Sequence, residues 1–434
     1  MAELDKELVG VIQGSIKVVR VHMHTKDLAR VGYILGLRVA PLHRRKGIGS
    51  SLVRRLEEWF IANDVDYAYM ATEKDNEASV KLFVNKFGYI RFRTPAILVN
   101  PVNINRSFHI SSNVQIVKLK REQAEFLYRK FMSSTEFFPH DIDNILENHL
   151  SLGTWVAFPR GESFGSDGGQ VPSSWAMLSV WNSGELFKLR LGKAPLSCLI
   201  YAKSSRLIDK YFPCLKFPSL PDFFHPFGFY FMYGVYQEGP LSGKLVRSLC
   251  QFVHNMAKNK SKDCKVIVTE VGGKDTLLRH HIPHWKLLSC PEDLWCIKAL
   301  KSEESNSLQE LTKTPPTRAL FVDPREVWTK NILDLSLSEN QAPPHVLFVK
   351  SIHLSWWGLF SCSFHIGDTR SLKISLNRWH LGYPCSQLDF SPHDSDYSIK
   401  TSGPNFVPSP LVKSLAGPST PLSTPIETNS PNMP

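Results

Sequence analysis

The most chemically suggestive part of the sequence is a short loop rich in basic residues and glycine, residues 44–50. It reads Arg44-Arg45-Lys46-Gly47-Ile48-Gly49-Ser50. Residues 51–62 then place apolar side chains at helical spacing, so the loop leads directly into an amphipathic helix. The first backbone amides of a helix lack intrahelical partners and carry partial positive charge. Glycines let an anion approach those amides and basic side chains add donors, which predicts a pyrophosphate site; a basic surface turn is the alternative.

The elements around this loop must position it, and the first hundred residues alternate extended apolar runs with amphipathic segments. A shorter helix is predicted at 76–86, with Gly88 as its natural stop. Apolar and β-branched runs predict four strands, at 8–19, 31–39, 67–72 and 89–99. The order is therefore strand, strand, basic loop, helix, strand, helix, strand. In this position the loop is a more specific signal than a lone G-x-G.

Three motifs resemble those of the GNAT superfamily of N-acetyltransferases. Arg44-x-x-Gly47-x-Gly49 is similar to its R/Q-x-x-G-x-G/A signature, and Leu37-Arg38-Val39 is similar to the strand before it. Asn76-Glu77-Ala78-Ser79, followed by Phe87-Gly88-Tyr89, resembles its second block. The resemblance implies an α/β (α+β) GNAT acyl-CoA N-acyltransferase fold, in which helices flank a mixed, mostly antiparallel central sheet.

A closer resemblance, over roughly residues 8–326, is to the plant hookless-type probable N-acetyltransferases. It is carried by 36–101 and by later stretches at 134–139, 150–154, 284–290 and 321–326. The resemblance implies a role in plant growth and development.

The GNAT resemblance also implies acetyl-CoA as cosubstrate, no metal, and an amine acceptor that we expect on a protein. The main chain of Leu37 and Val39 would bond to the cofactor, residues 44–50 would hold the pyrophosphate, and Asn76 would contact the pantetheine or thiol end. The complete set of implied cofactor-binding residues is Leu37, Arg38, Val39, Arg44, Arg45, Lys46, Gly47, Ile48, Gly49, Ser50, Asn76 and Ser79.

Three features depart from the pattern of the superfamily. Phe83 stands where many members have a tyrosine that protonates the departing thiolate, and a phenyl ring cannot donate a proton. Residues 31–39 contain no carboxylate for a general base, which leaves Tyr33 and Glu73 as the remaining catalytic candidates. The strand and two helices that wall the acceptor site in the superfamily are expected before Leu8, so we interpret the first unit as N-terminally truncated.

Residues 110–300 contain a weaker repeat of the same pattern, which predicts two GNAT units in tandem. Leu52-Val53-Arg54-Arg55-Leu56 returns as Leu245-Val246-Arg247-Ser248-Leu249, although amphipathic helices can also be similar by chance. The loop before the second helix carries Glu238 in place of basic residues, and Pro240 removes an amide donor. We therefore expect the second copy to be degenerate and to serve acceptor recognition or structure.

The predicted organisation has four regions. Pro-rich stretches and a tail rich in Ser, Thr and Pro follow the second unit. The regions are 1–105, an N-terminally truncated GNAT domain; 106–302, a second GNAT-like domain; 303–345, a linker; and 346–434, a poorly structured extension that is disordered from about 400.

The composition narrows the partners. A net charge of +11 suits an anionic partner, but no RNA-binding, zinc-finger or recognition-helix pattern accompanies it, so we do not expect direct nucleic-acid binding. No apolar run reaches the roughly 18 residues of a membrane span, so no membrane partner is expected. The 8 cysteines include no CxxC pair, which favours the cytoplasm or nucleus. Two hypotheses remain: an acetyl-CoA-dependent N-acetyltransferase, or a catalytically impaired regulatory or binding module.

Overall fold

The computed structural model describes residues 1–329 and 346–349, with gaps at 6, 24–25, 104–106, 166–170, 187, 192–195, 213–220, 262, 273–275 and 287. Its strands are β1 (Ala2–Leu4), β2 (Glu7–Met23), β3 (Lys26–Val39), β4 (Tyr67–Glu73), β5 (Ile90–Arg93), β6 (Ala96–Pro101), β7 (Val114–Lys118), β8 (Phe138–Pro139), β9 (Ser151–Pro159), β10 (Trp175–Trp181), β11 (Lys188–Leu191), β12 (Gly228–Glu238), β13 (Cys264–Val271), β14 (Asp293–Ala299) and β15 (Val346–Val349).

The α-helices in the same ranges are α1 (Ile48–Ala62), α2 (Glu77–Val80), α3 (Arg121–Met132), α4 (Ile142–Glu147), α5 (Leu196–Tyr211), α6 (Ser242–Lys260), α7 (Thr276–His281) and α8 (Ser305–Lys313). Short 3-10 helices occupy Pro41–His43, Ser183–Glu185, Ser302–Glu304 and Pro324–Thr329, and a π-helix, Lys81–Lys86, continues α2. None of the helices among the described residues is long and apolar enough to cross a membrane.

The first sheet has the strand order β1-β2-β3-β4-β14-β5, with β8 added to β2. Its β3 and β4 are parallel, and its other neighbouring strands are antiparallel. Helix α1 covers one face because its apolar side chains recur every three or four residues, and Leu52, Val53 and Phe60 are buried. The mixed, mostly antiparallel sheet with flanking helices is the predicted fold class.

The second sheet repeats this plan with the order β6-β13-β12-β10-β9-β7. Its one parallel pair is β12 and β13, and α6 packs on one face through side chains such as Leu245, Leu249 and Val253. The two sheets thus share a pattern in which a parallel pair brackets a long helix that connects its strands.

The two sheets exchange strands with each other. Strand β6 follows the first sheet in sequence but pairs with β13 of the second, whereas β14 lies between β4 and β5 of the first. The sheets therefore do not divide the chain at residue 105, and the predicted limit between the first two domains stays a prediction. Sequence reasoning missed β14, because a short apolar run at 294–297 does not reveal which distant strands it joins.

A single apolar core lies between the inner faces of the two sheets. It joins Tyr33 and Tyr69 of the first sheet to Trp175 and Phe231 of the second, and Phe321 is buried within it. The outer faces are covered by α1 and α6, which have separate apolar clusters. The inner face of the first sheet is therefore walled by parts of the chain that follow it in sequence.

The segment after residue 302 differs from the expected linker at 303–345. Residues 305–313 form α8, and Ala319, Leu320, Phe321 and Val322 are buried in the central core. These apolar side chains are more stable buried in the core than exposed in a solvated linker. The predicted linker is therefore corrected as far as residue 329. Within the predicted extension, Val346–Val349 forms β15, which pairs with β11. The remainder of the extension, 350–434, lies outside the described residues.

Candidate functional site

The basic loop has a backbone that requires glycine at one position. After the 3-10 turn Pro41–His43, Arg45 has a φ of 64° and Gly47 a φ of 85°. Gly47 is the N-cap of α1, and a left-handed residue there is strained for any side chain except glycine. The loop therefore turns sharply at Gly47, and the first backbone amides of α1 lie next to the loop.

The N-terminus of α1 is open. No side chain caps it, and its first turn contains no acidic residue. Apart from its chain neighbours, a Cβ atom built at Gly47 would meet no protein atom within 4 Å. Apart from its chain neighbours and the backbone of its own helix, one at Gly49 would meet only the Val39 Cγ2 atom, at 3.7 Å. Protein packing therefore does not explain why residue 49 lacks a side chain. The space beside the first helical amides is available to another molecule.

Basic side chains surround this opening, and one of them was not predicted. Arg44, Arg45 and Lys46 are exposed, and the Arg44 Nε atom donates to the Val39 carbonyl at 3.2 Å. The Lys86 Nζ atom donates to the Ser50 Oγ atom at 2.9 Å. Lys86 lies at the end of the π-helix, and the sequence gives no sign that this residue returns to the loop.

Strands β3 and β4 separate beside the loop. Their pairing ends at Ile34–Met70, whereas β3 continues to Val39 and β4 continues to Glu73. The diverging ends carry Leu37 and Val39 on one side and lead into Asn76 on the other. Most of the predicted cofactor-binding residues are therefore brought around one cleft between two strands and a helix N-terminus.

The backbone carbonyls predicted to bind the cofactor accept bonds from arginine side chains. The Arg38 Nη1 atom donates to the Leu37 carbonyl at 3.0 Å, and Arg44 bonds to Val39 as described above. Across the cleft, the Asn76 Oδ1 atom accepts from the Ser79 amide at 3.2 Å and so caps α2. Ser79 is thus placed by Asn76, which lies exposed at the mouth of the cleft.

Phe83 does not line the cleft. It is 2% exposed, and its ring meets the Tyr89 ring edge-on at 5.3 Å between centroids. Tyr89 donates to the Glu57 carboxylate at 2.9 Å, and Lys298 donates to the same carboxylate. Burial, followed by Glu57, raises the pKa of Tyr89 well above its usual value. This group is a satisfied part of the core under α1, which explains an aromatic ring without a hydroxyl at position 83.

The two remaining catalytic candidates have different surroundings. Tyr33 is 1% exposed, and its ring stacks on Tyr69 at 4.4 Å within the central core. Glu73 is half-buried at the end of β4, where it lies opposite Asp293 of β14. Their catalytic roles stay a prediction.

A buried charged network lies on the inner face of the first sheet and was missed in the sequence. The Lys17 Nζ atom is 2.6 Å from Glu326 Oε2, and the Tyr69 hydroxyl donates to the same carboxylate. Arg325 pairs with Asp323 and makes two bonds to Asp141, at 2.7 and 3.0 Å. The only signal in the sequence was that 321–326 belongs to the hookless-like stretches.

The acidic residues of this network have opposite pKa shifts. Burial raises the pKa of Glu326, and Lys17 offsets only part of that rise. Burial also disfavours the ionised form of Asp323, but Arg325 outweighs it and lowers the pKa of that carboxyl. Two carboxylates in one cluster therefore differ in their readiness to hold a proton.

The corresponding loop of the second unit is closed. A Cβ atom at Gly243 would lie 2.3 Å from His281 Nε2, and one at Gly239 would lie 2.1 Å from the Ser173 carbonyl oxygen. The Leu241 amide donates to the Ser174 hydroxyl at 3.2 Å. The glycines of this loop serve internal packing, so the loop leaves no space at the start of α6.

The cleft of the second sheet is also filled, by the chain itself. Pairing of β12 and β13 ends at Met232–Thr269. Beyond that point, Arg318 donates to the Gln237 carbonyl at 3.0 Å, and a Cβ atom at Gly272 would meet the Leu320 Cδ2 atom at 3.2 Å. Residues 318–320 therefore lie between the diverging ends of this strand pair.

A parallel pair that separates beside a helix N-terminus, with a basic glycine loop at that terminus, defines the class of protein. Residues 1–89 match the Acetyltransferase (GNAT) family. The fold and the motifs of the first unit are those of a GNAT acetyltransferase, which confirms the resemblance found in the sequence.

The particular family follows from relatives that match most of the chain. The chain is 49% identical over 344 residues to the probable N-acetyltransferase HLS1 of Arabidopsis thaliana, which covers 74% of this chain and 84% of the relative. It is 39% identical over 328 residues to the acetyl transferase GW6a of Oryza sativa subsp. japonica, which covers 75% of each. The protein therefore belongs to the family of HLS1-like probable N-acetyltransferases.

A more distant similarity covers a shorter part of the chain. The N-alpha-acetyltransferase 30 of Xenopus laevis is 36% identical over 91 residues, which is 21% of this chain and 31% of that protein.

Proposed function

We propose that this chain transfers an acetyl group from acetyl-CoA to an amine acceptor on a protein. The observation that carries the proposal is the open N-terminus of α1, where Gly47 and Gly49 leave space next to exposed basic side chains. Membership of a family of probable N-acetyltransferases supports the reaction class.

The first unit supplies three functions in this proposal. Residues 44–50 and Lys86 hold the pyrophosphate, through helix amides and basic side chains. The diverging ends of β3 and β4 receive the pantetheine arm, with the main chain of Leu37 and Val39 as partners once Arg38 and Arg44 turn away. Asn76 and Ser79 lie at the thiol end. Such positioning lowers the barrier to acyl transfer by holding the thioester and the amine in contact.

A protein acceptor is the finer part of the proposal. The relative from Xenopus laevis is named an N-alpha-acetyltransferase, and it is similar to 21% of this chain. A protein amine would approach the cleft where β3 and β4 separate. We extend the proposal to a plant growth regulatory setting and to the cytoplasm or nucleus.

A second candidate function is a GNAT-shaped binding module without catalysis. The observation that favours it is Phe83, which is buried and provides no proton donor where many members have a tyrosine. In that case the chain would bind acetyl-CoA and a partner but would not release CoA.

The experiment is calorimetric titration of acetyl-CoA into the full chain and into a Gly47→Glu, Gly49→Glu double variant. We expect micromolar binding by the parent chain, because helix amides and basic side chains meet the pyrophosphate. The double variant should lose it, since two carboxylates would occupy that space.

The matched control is Lys244→Glu, which places a carboxylate at an exposed position in the first turn of α6. It should leave acetyl-CoA binding unchanged, because the second loop is closed. A folded parent chain that binds no acetyl-CoA would contradict the proposed function and its binding-module alternative alike.

A further inference from the structure

The inner face of β4 carries two buried pairs of tyrosine and glutamate. Tyr67 donates to Glu304, and Tyr69, two residues nearer the cleft, donates to Glu326. Both glutamates come from the segment after residue 300, and they are only 4% and 6% exposed. Burying a carboxylate costs desolvation free energy, so such a pair does not by itself stabilise the fold. Each pair therefore calls for an explanation.

The two pairs differ in their distance from the cleft. Tyr69 precedes Met70, the last residue of β4 that pairs with β3. Tyr67 lies two residues earlier, which is about 7 Å along a strand. Glu326 is thus the carboxylate of the two that lies nearer the point where the strands separate and the thioester is proposed to lie.

Glu326 is surrounded by charged and titratable groups on four sides. Lys17 of β2 and Tyr69 of β4 bond to it directly, and Tyr33 of β3 stacks on the Tyr69 ring. Asp323, paired with Arg325, approaches from the segment that carries Glu326. The Lys17 and Glu326 side chains remain 9% and 8% exposed, so the pair is nearly closed but not sealed.

A strained residue adjoins this pair. Phe137 has a φ of 57°, and its ring stacks on the Tyr69 ring at 4.6 Å between centroids. Left-handed backbone is unfavourable for a bulky side chain and is concentrated at functional sites. The ring of Phe137 is also 5.9 Å from the Lys17 Nζ atom, so the strained residue covers both partners of Glu326.

We propose that the Glu326 carboxylate accepts the proton of the incoming amine. This assignment rests on the proposed function, and it supplies the base that β3 lacks. Glu326 takes a proton from the acceptor ammonium, and the freed nitrogen lone pair forms a bond to the thioester carbonyl carbon. The carbon–sulfur bond then breaks, the thiolate leaves with the electron pair and takes the second proton of the nitrogen, and Glu326 returns its proton to solvent.

The pH dependence gives this role a signature. A base works only when ionised, so the rate should rise with pH as Glu326 loses its proton. Because burial raises the pKa of Glu326, this rise should lie at higher pH than the ordinary glutamate value of about 4.3. Lys17 lowers that pKa, so Lys17→Met should move the rise to still higher pH.

The test is CoA release by the full chain with acetyl-CoA and a random peptide library that carries free α-amines and internal lysines. Glu326→Gln should lower the rate at neutral pH about a hundredfold or more and abolish the acidic limb of the pH profile. Acetyl-CoA binding, measured by calorimetry, should remain. Glu304→Gln is the matched control, because it makes the same change in the pair farther from the cleft, and it should retain the pH profile.

Two results would overturn the assignment. The first is an equal rate loss in both glutamine variants with unchanged pH profiles, which is the result of a structural role. The second is an acidic limb that does not move in Lys17→Met. A parent chain that does not bind acetyl-CoA, or that binds it and transfers nothing to the library at any pH, is a different result, since it contradicts the proposed function itself.

Discussion

The two glycine loops occupy equivalent positions in the two units but have opposite surroundings. In the first, a Cβ atom at Gly49 would meet one protein atom at an ordinary contact distance; in the second, a Cβ atom at Gly243 would overlap the His281 ring. Both loops follow the strand that diverges from its parallel neighbour, and both begin a long helix. A glycine in such a loop therefore indicates a ligand only where the protein leaves the space empty.

The clefts beside the loops differ in the same way. The first lies between diverging strands, where the Leu37 and Val39 carbonyls accept bonds from the flexible side chains of Arg38 and Arg44. In the second, Arg318 and Leu320 lie between the strands, so the chain fills the cleft with its own backbone and side chains. The cleft between β3 and β4 is open. The equivalent cleft between β12 and β13 holds residues 318–320, which belong to the segment that carries Glu326.

The largest effect is expected from removing a buried ring of the same segment. Phe321 is 1% exposed and meets the rings of Tyr128, Phe138 and Tyr233 in the central core. Phe321→Ala should lower the free energy of unfolding by about 3–5 kcal/mol, because it leaves a cavity in that core. Urea denaturation measures this change. As a control, Leu42→Ala at an 85% exposed position should stay within about 0.5 kcal/mol. A small loss in Phe321→Ala would mean that the central core does not depend on this segment.

An intermediate effect should separate the two glycines. Gly243→Ala should lower stability by about 1–3 kcal/mol, because the His281 ring must move. Gly49→Ala should leave stability within about 0.5 kcal/mol, or raise it slightly through helix propensity, while acetyl-CoA binding weakens. Thermal denaturation and calorimetry on the two variants measure both properties. Equal destabilisation by the two changes would remove the distinction between the loops.

The smallest expected effect is the loss of stability at acidic pH. Arg325 lowers the pKa of Asp323 and, with hydrogen bonds, that of Asp141 against the opposing effect of burial. A lowered pKa in the folded state contributes stability above the ordinary aspartate value of about 3.9, and this stability is lost as pH falls through the folded pKa. Denaturation midpoints should therefore drop as pH falls below about 4. Asp323→Asn should be less stable near neutral pH and lose less on acidification, and an unchanged dependence would contradict this account.

Local sequence patterns predicted the helices and strands that show a clear apolar periodicity. The strand predicted at 67–72 is β4, Tyr67–Glu73, and the helix predicted at 76–86 is α2 with the π-helix that continues it to Lys86. The loop at 44–50 leads into α1 as expected, because apolar periodicity and a left-handed glycine are local properties. The roles of the predicted cofactor-binding residues stay a prediction.

Long-range pairing was not predictable from the same patterns. Lys86 meets Ser50, Lys17 meets Glu326, and β14 enters the first sheet, each across a separation that no periodicity encodes. The expected linker beginning at residue 303 contains prolines, but the apolar run at 319–322 outweighs them by burial in the core. A base was sought on β3, whereas a buried carboxylate is provided by a segment almost three hundred residues later in the chain.

The exchange of β6 and β14 between the sheets has a consequence for synthesis on the ribosome. Strand β4 is made early, yet its antiparallel neighbour β14 ends at Ala299, so that edge of the first sheet must wait while most of the second unit emerges. Long-range strand pairing is slow, and unpaired edges invite association with other chains. A nascent chain stalled before residue 293 would expose β4 and β5 as two open edges next to a formed α1. The first sheet is therefore completed only when the second unit has been translated.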